Sequence, residues 1–143
     1  MKIVVTGASG TVGRGLVPLL AAAGHNVFLI GRSTQTLNRN FPGLPALNYE
    51  DLEAVIQNAD AVVHLATINN NVEMKIEKRT ELEMEMINKV SQVCDPMGVN
   101  LFLISTVHAL LPLVQTDYAK SKKAVADRFK AKRLKNSQIV YLG

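Results

Sequence analysis

Residues 2–13 constrain this chain more than any other stretch. A short β-branched run, Lys2–Val5, leads directly into Thr6-Gly7-Ala8-Ser9-Gly10-Thr11-Val12-Gly13. Such a run predicts a buried strand. The following residues, Thr11–Ala23, predict a helix with Leu16, Val17, Leu19 and Leu20 at its apolar positions and Gly24 closing it. Pro18 falls inside that helix and predicts a kink or a local irregularity. Three glycines spaced three apart thus stand between a strand and the first turn of a helix. There the backbone N–H groups lack intrahelical partners, and the helix dipole favours negative charge. Glycine permits a tight turn and lets a phosphate reach the backbone; the last glycine lets helix and strand pack closely. Gly7, Ser9, Gly10, Thr11, Val12 and Gly13 are therefore the expected contacts of a diphosphate.

The same alternation continues along the chain. Strands are expected at Asn26–Ile30, weakly at Ala46–Asn48, then at Ala61–Leu65, Leu101–Ser105 and Gln138–Leu142. Helices are expected over Leu52–Asn58 with Asp51 as cap, within Val72–Cys94 with Asp95-Pro96-Met97-Gly98 ending it, and over Tyr118–Leu134. Phe41-Pro42-Gly43-Leu44-Pro45 and Asn69-Asn70-Asn71 read as loops. Strands alternating with helices imply an α/β fold: a doubly wound parallel sheet of about six strands with helices on both faces. All 143 residues then form one dinucleotide-binding domain of the Rossmann type.

In such a domain the tip of the second strand selects the dinucleotide. A carboxylate there would bind the adenosine ribose hydroxyls. This chain has Gly31-Arg32-Ser33 instead. Arg32 offers a guanidinium fork, and Ser33 a hydroxyl, to a 2′-phosphate, so NADP(H) is expected over NAD(H). Arg14 either assists or is a solvated helix arginine.

Composition excludes several other classes. With 48% apolar and 20% charged residues the chain is globular, and its apolar runs are too short to cross a bilayer. The start, Met1-Lys2-Ile3-Val4-Val5, leaves no room for a signal peptide, so a cytoplasmic location is expected. Cys94 is alone and reads as a small buried apolar side chain; His25, His64 and His108 lack metal-ligand spacing. Residues 120–135 carry eight basic residues against Asp127. With Ala124, Val125, Phe129 and Leu134 facing inward, this is expected to be a solvated helix face. No aromatic side chains interleave to stack on bases, which argues against nucleic acid.

Four motifs in order carry a family resemblance: the glycine turn, Asp60-Ala61-Val62-Val63-His64-Leu65-Ala66, Leu103-Ile104-Ser105-Thr106 and Tyr118-Ala119-Lys120-Ser121-Lys122. Together they resemble the short-chain dehydrogenase/reductase superfamily, in its extended and atypical branch of sugar-nucleotide epimerases, dehydratases and reductases. The resemblance implies that Tyr118 is the general acid/base. Lys122 would hold the nicotinamide ribose and lower the phenol's pKa, an unperturbed tyrosine near ~10 being too weak an acid at neutral pH. It assigns the substrate-oxygen hydrogen bond to Thr106, with Ser105 the alternative. Leu65, Ala66 and Thr67 would line the cofactor, Asn48 would reach the adenine, and His64 would pack within its strand. The implied partner is a small-molecule substrate, a nucleotide sugar being one class for this branch, bound by a monomer or homodimer without a membrane.

The match has gaps. An asparagine that serves the family's proton relay has no counterpart here; acidic Glu83 stands near that position. Family members continue for about as long again beyond the sixth strand, and that half supplies most of the substrate pocket. The reading is an NAD(P)-dependent oxidoreductase or sugar-nucleotide epimerase. Its competitors are a non-catalytic NADP(H)-binding sensor and an interaction protein using the basic helix. Substrate selectivity would lie in loops around Asn69–Val72 and Ala109–Thr116.

Overall fold

The computed structural model describes residues 1–69, 71–113 and 115–143. Six strands form one parallel sheet: β1 (Lys2–Thr6), β2 (Asn26–Ile30), β3 (Ala46–Leu47), β4 (Ala61–His64), β5 (Asn100–Thr106) and β6 (Ser137–Leu142). Their spatial order is β3-β2-β1-β4-β5-β6. The chain winds outward from β1 to one edge, then returns to the centre and winds to the other. The order therefore reverses between β1 and β4. Open α/β sheets bind ligands at such a point, beyond the carboxyl ends of the strands. The expected doubly wound sheet is the observed one.

Alternation along the strands divides the core in two. Ile3, Val5, Val27 and Leu29 pack with Val17 of α1 (Thr11–Ala22) and Leu37 of α2 (Thr34–Asn40). Val4, Val62, Leu101 and Leu103 pack on the opposite face with α3 (Leu52–Ile56), α4 (Ile76–Met97) and α5 (Asp117–Ala131). On α4 the buried residues Thr80, Met84, Ile87, Val90 and Cys94 follow helical spacing, and Cys94 is the buried apolar-like residue expected. Burial, with help from Asp95, pushes its thiol up to about 12, so it stays protonated.

Several expected boundaries move. The α1 helix runs unbroken through Pro18. The α4 helix carries on through Asp95-Pro96-Met97 and stops only at Gly98, whose left-handed backbone (φ 67°) closes it. Asp51 stands at the N-cap position of α3, as expected, but its side chain makes no capping bond to that helix. It ends a 3₁₀ turn, Tyr49–Asp51, and its carboxylate reaches back to the Asn48 amide at 3.3 Å. The α3 helix stops at Ile56, and Asn58, expected to be helical, has φ 62°. The α2 helix has no counterpart in the sequence reading. Asn70 and Val114, which belong to the two expected substrate-side loops, lie outside the described residues.

Candidate active site at the carboxyl edge of the sheet

The glycine turn joins β1 to α1 at the switch point. Gly7 has φ 74°, and a Cβ on it would stand 2.4 Å from the Ala66 amide nitrogen, just past β4. A Cβ on Gly13 would stand 2.3 Å from the Ala8 carbonyl oxygen, so the last glycine does permit close packing of α1 on the turn. Gly10 differs: a Cβ there would find only the Gly7 carbonyl, at an ordinary 3.4 Å. It is the N-cap of α1, and no side chain caps the helix. Its own amide donates to the Gly7 carbonyl at 3.1 Å. Ser9, Thr11 and Val12 are exposed around it, the approach a diphosphate requires. Arg14 folds its Nε onto the Ser9 carbonyl at 3.0 Å, bracing the turn.

A cleft of about 480 Å³ opens beside the ends of β2 and β3, lined by Gly31, Arg32, Asn48, Tyr49, Glu50, Met86 and Lys89. Arg32 and Asn48, both expected at the adenosine end, meet there. Lys89 and Met86 join them from α4, and sequence reasoning missed both because α4 is far away in the chain. Ser33 has a local role as well. Its hydroxyl caps α2, accepting from the Thr36 amide at 3.2 Å and donating to the Thr36 hydroxyl at 3.0 Å. The hydroxyl expected to face a 2′-phosphate is thereby engaged in holding the helix start.

Tyr118 and Lys122 lie one turn apart on α5, with the Lys122 ammonium 5.5 Å from the Tyr118 ring centre. Lys122 is not on the solvated basic face: only 6% of it is exposed. Its ammonium donates to Glu83 Oε2 at 2.7 Å and to the Thr67 hydroxyl. That hydroxyl donates in turn to Glu83 Oε1 at 2.7 Å, and the Ile68 amide donates to the same oxygen at 3.3 Å. Two small buried residues, Thr80 and Ser121, meet where α4 crosses α5 and let the two helices approach. Arg79, also buried, sits one turn before Glu83 and donates to the Ile68 and Asn69 carbonyls at 3.0 Å. Burial depresses the Lys122 ammonium, and Glu83 opposes that effect.

The expected depression of the Tyr118 phenol is not observed. Burial raises its pKa above the ordinary tyrosine value, Glu83 raises it further, and the Arg79 guanidinium pulls the other way. The physical reason is burial first, with the Glu83 carboxylate that pairs with the lysine adding to it. Glu83, read from sequence only as a mismatch, is thus the site's main unforeseen member.

At the end of β5, alternation sets Ser105 on the face of Leu101 and Leu103 and Thr106 on the other. The Thr106 hydroxyl accepts from the His108 amide at 3.3 Å, starting a 3₁₀ turn over Val107–Ala109. His64 packs in its strand as expected, fully buried, its Nδ1 2.8 Å from the Thr6 hydroxyl.

A family model described as "NAD dependent epimerase/dehydratase family" matches residues 3–131. The chain belongs to this family. A chloroplastic epimerase family protein of Arabidopsis thaliana is 30% identical over 100 residues, which cover 66% of this chain and 29% of that one. UDP-glucuronic acid decarboxylase 4 of the same plant is 26% identical over 114 residues, covering 74% of this chain and 26% of its own. Among solved structures, UDP-N-acetylglucosamine 4-epimerase from Bacillus cereus superposes with a TM-score of 0.77 at 24% identity, over 97% of this chain and 53% of that one. A short-chain dehydrogenase/reductase superfamily protein from Agrobacterium tumefaciens with bound NAD gives 0.74 at 18% identity, over 99% and 48%. The chain of this epimerase/dehydratase family member therefore spans under a third of these curated relatives and about half of these solved chains. No helix among the described residues is long and apolar enough to cross a membrane.

Proposed function

We propose that this chain binds NADP(H) across the switch point and serves hydride transfer at a carbonyl or secondary alcohol, with Tyr118 exchanging the proton at the oxygen. One observation carries the reading. The phosphate turn and the acid/base pair converge on Leu65–Thr67, since Gly7 packs against Ala66 while Thr67 grips Lys122. The two halves of the chemistry are thus within a few residues of each other.

The residues fit a nicotinamide dinucleotide. The first turn of α1, left open at Gly10, offers its amides to a diphosphate, and the cleft at Arg32, Asn48 and Lys89 suits a phosphorylated adenosine. The bound cofactor would supply or accept the hydride. Lys122 would offer the ribose its ammonium, which has three donors and uses two on Thr67 and Glu83. Ser105, on the face of the sheet that α5 covers, or Thr106 beside it would hold the substrate oxygen. A nucleotide sugar is the substrate class favoured by the family and by the two nucleotide-sugar enzymes among the relatives.

The test is a fluorescence titration with NADPH, followed by carbonyl reduction assays on wild type and Tyr118→Phe. Binding in both proteins with activity in wild type alone is expected. Binding with no turnover in either would replace the enzyme reading with a cofactor sensor, and failure to bind either nicotinamide nucleotide would end both.

A further inference from the structure

The closed ring of contacts among Lys122, Glu83 and Thr67 is more than packing. A carboxylate within contact distance of a buried lysine either stabilises the fold alone or sets how that lysine acts on its neighbours. Here the neighbour is Tyr118, whose ring lies 5.5 Å from the same ammonium. We infer that Glu83 is a positioning residue: it clamps the Lys122 ammonium to α4, against Thr67, and thereby offsets the pull of the lysine charge on Tyr118. The inference rests on the reading of Tyr118 as the acid/base.

The geometry supports this in three ways. Glu83 is almost wholly buried, and both of its oxygens are committed, Oε2 to Lys122 and Oε1 to Thr67 and the Ile68 amide. A carboxylate so held has little freedom to swing away from the lysine. Thr67 is fixed in turn by the chain that packs on Gly7, so the lysine is registered to the phosphate turn as well as to α4. Finally, the charges that face Tyr118 and Lys122 are few. Among the described residues they are Glu83 and Arg79 from α4, with buried His64 from β4 close enough to feel the lysine. His64 is neutral at pH 7, so Glu83 is the one negative charge in this group, and it offsets one of two positive ones. Burial raises the phenol, and Glu83 adds to that rise against the pull of Arg79.

A protonated phenol suits the reductive direction. A bound reduced nicotinamide nucleotide would supply the hydride to a carbonyl carbon, and Tyr118 would give its phenolic proton to the carbonyl oxygen. The resulting tyrosinate would then recover a proton from water, leaving an alcohol and the oxidised nucleotide.

The chain holds three tyrosines and no tryptophan, so its phenols can be titrated individually. Fluorotyrosine incorporated biosynthetically titrates below the ordinary tyrosine range, and ¹⁹F NMR separates Tyr49, Tyr118 and Tyr141 once Tyr→Phe variants assign them. Glu83→Gln should lower the Tyr118 midpoint by about one pH unit and leave the other two in place. Glu83→Asp, which keeps the charge, should stay near wild type. An unchanged Tyr118 midpoint in Glu83→Gln, or an equal shift in all three tyrosines, overturns the inference. Should Glu83→Gln not fold, Lys122→Met and the double variant Glu83→Gln/Lys122→Met make the same comparison. The double variant should titrate lower, and equal midpoints overturn the claim. NADPH titration of wild type separates this from the functional proposal. A tyrosine shift without nucleotide binding sinks the cofactor reading alone, and binding without a shift sinks the role of Glu83 alone.

Discussion

A methyl group on the Cα of Gly7 would stand 2.4 Å from the amide nitrogen of Ala66, on a backbone whose φ of 74° already disfavours any side chain. Gly13 is as tightly held against the Ala8 carbonyl, at 2.3 Å, whereas Gly10 meets nothing closer than 3.4 Å. The three glycines of one motif therefore do different things. Gly7 and Gly13 seat the turn between β4 and α1, and Gly10 leaves the approach to the helix start open. Gly7→Ala and Gly13→Ala should each cost about 3 kcal/mol or more, because the opposing atoms are backbone and cannot swing aside. Gly10→Ala should keep the wild-type urea midpoint yet lose about tenfold in NADPH affinity, or about 1.4 kcal/mol. Equal unfolding midpoints for all three variants would contradict this division.

His64 gives the fold a pH dependence. Burial, with the charge of Lys122 adding to it, depresses the imidazole from 6.5 to about 4. The unfolded chain therefore takes up a proton at a higher pH than the folded one does. The stabilisation is complete above about 6.5 and is lost as pH falls from there towards 4, amounting to about 3 kcal/mol at the end of that window. Urea unfolding at pH 7 and at pH 4 should show that loss in wild type. In His64→Asn, which has no titrating ring, the slope attributable to this window should vanish. An identical slope in both proteins would mean that the acid sensitivity comes from other groups.

Much of this was legible in one dimension, and what was not has identifiable causes. The second strand, Asn26–Ile30, coincides with the expectation because its apolar run is bounded by Gly24 and Gly31. The α2 helix escaped because only Leu37 of its seven residues is buried, so no period is displayed. Its one local sign, Ser33 with Thr36 three residues on, was read as chemistry and not as a cap. The α4 helix outran its expected end because proline in the last turn forfeits one backbone bond without forcing the chain out of the helix. Tyr118 and Lys122 were found through a motif five residues long. Glu83 and Lys89 could not be found that way, since each gains meaning only from groups brought up by other elements: Lys122 on α5, and Arg32 at the tip of β2.

Arg32 and Lys89 face one cleft from β2 and α4, with Glu50 the acidic residue among its lining groups. Two cations around a pocket of this kind favour a ligand with an extra phosphate, so NADPH should bind more tightly than NADH. Arg32→Ala should weaken NADPH by about tenfold, the scale of one charge-assisted hydrogen bond of about 1.5 kcal/mol, and leave NADH nearly unchanged. Lys89→Ala should act in the same direction and more weakly. Fluorescence titrations with both nucleotides read this directly, and tighter NADH binding by wild type would reverse the cofactor assignment.

The Lys122–Glu83 pair also makes a stability prediction that needs no ligand. Both side chains are buried, at 7% and 3% exposure, and the bond between them is 2.7 Å long. Removing one partner leaves the other without its counter-charge in a poorly solvated place, at a cost of about 3–5 kcal/mol. Lys122→Met should therefore be strongly destabilised in urea, even though methionine fills much of the space of the lysine stem. Adding Glu83→Leu should recover most of the loss, because an apolar pair of similar volume needs no counter-charge and two desolvated ions are replaced by packing. Thr67 would then lose both of its partners, but it is exposed and water can replace them. The double variant should unfold near wild type while failing to support any chemistry that depends on the ammonium. If instead the double variant is less stable than Lys122→Met alone, the pair contributes net stability beyond what packing supplies, and the buried charges are structural in their own right.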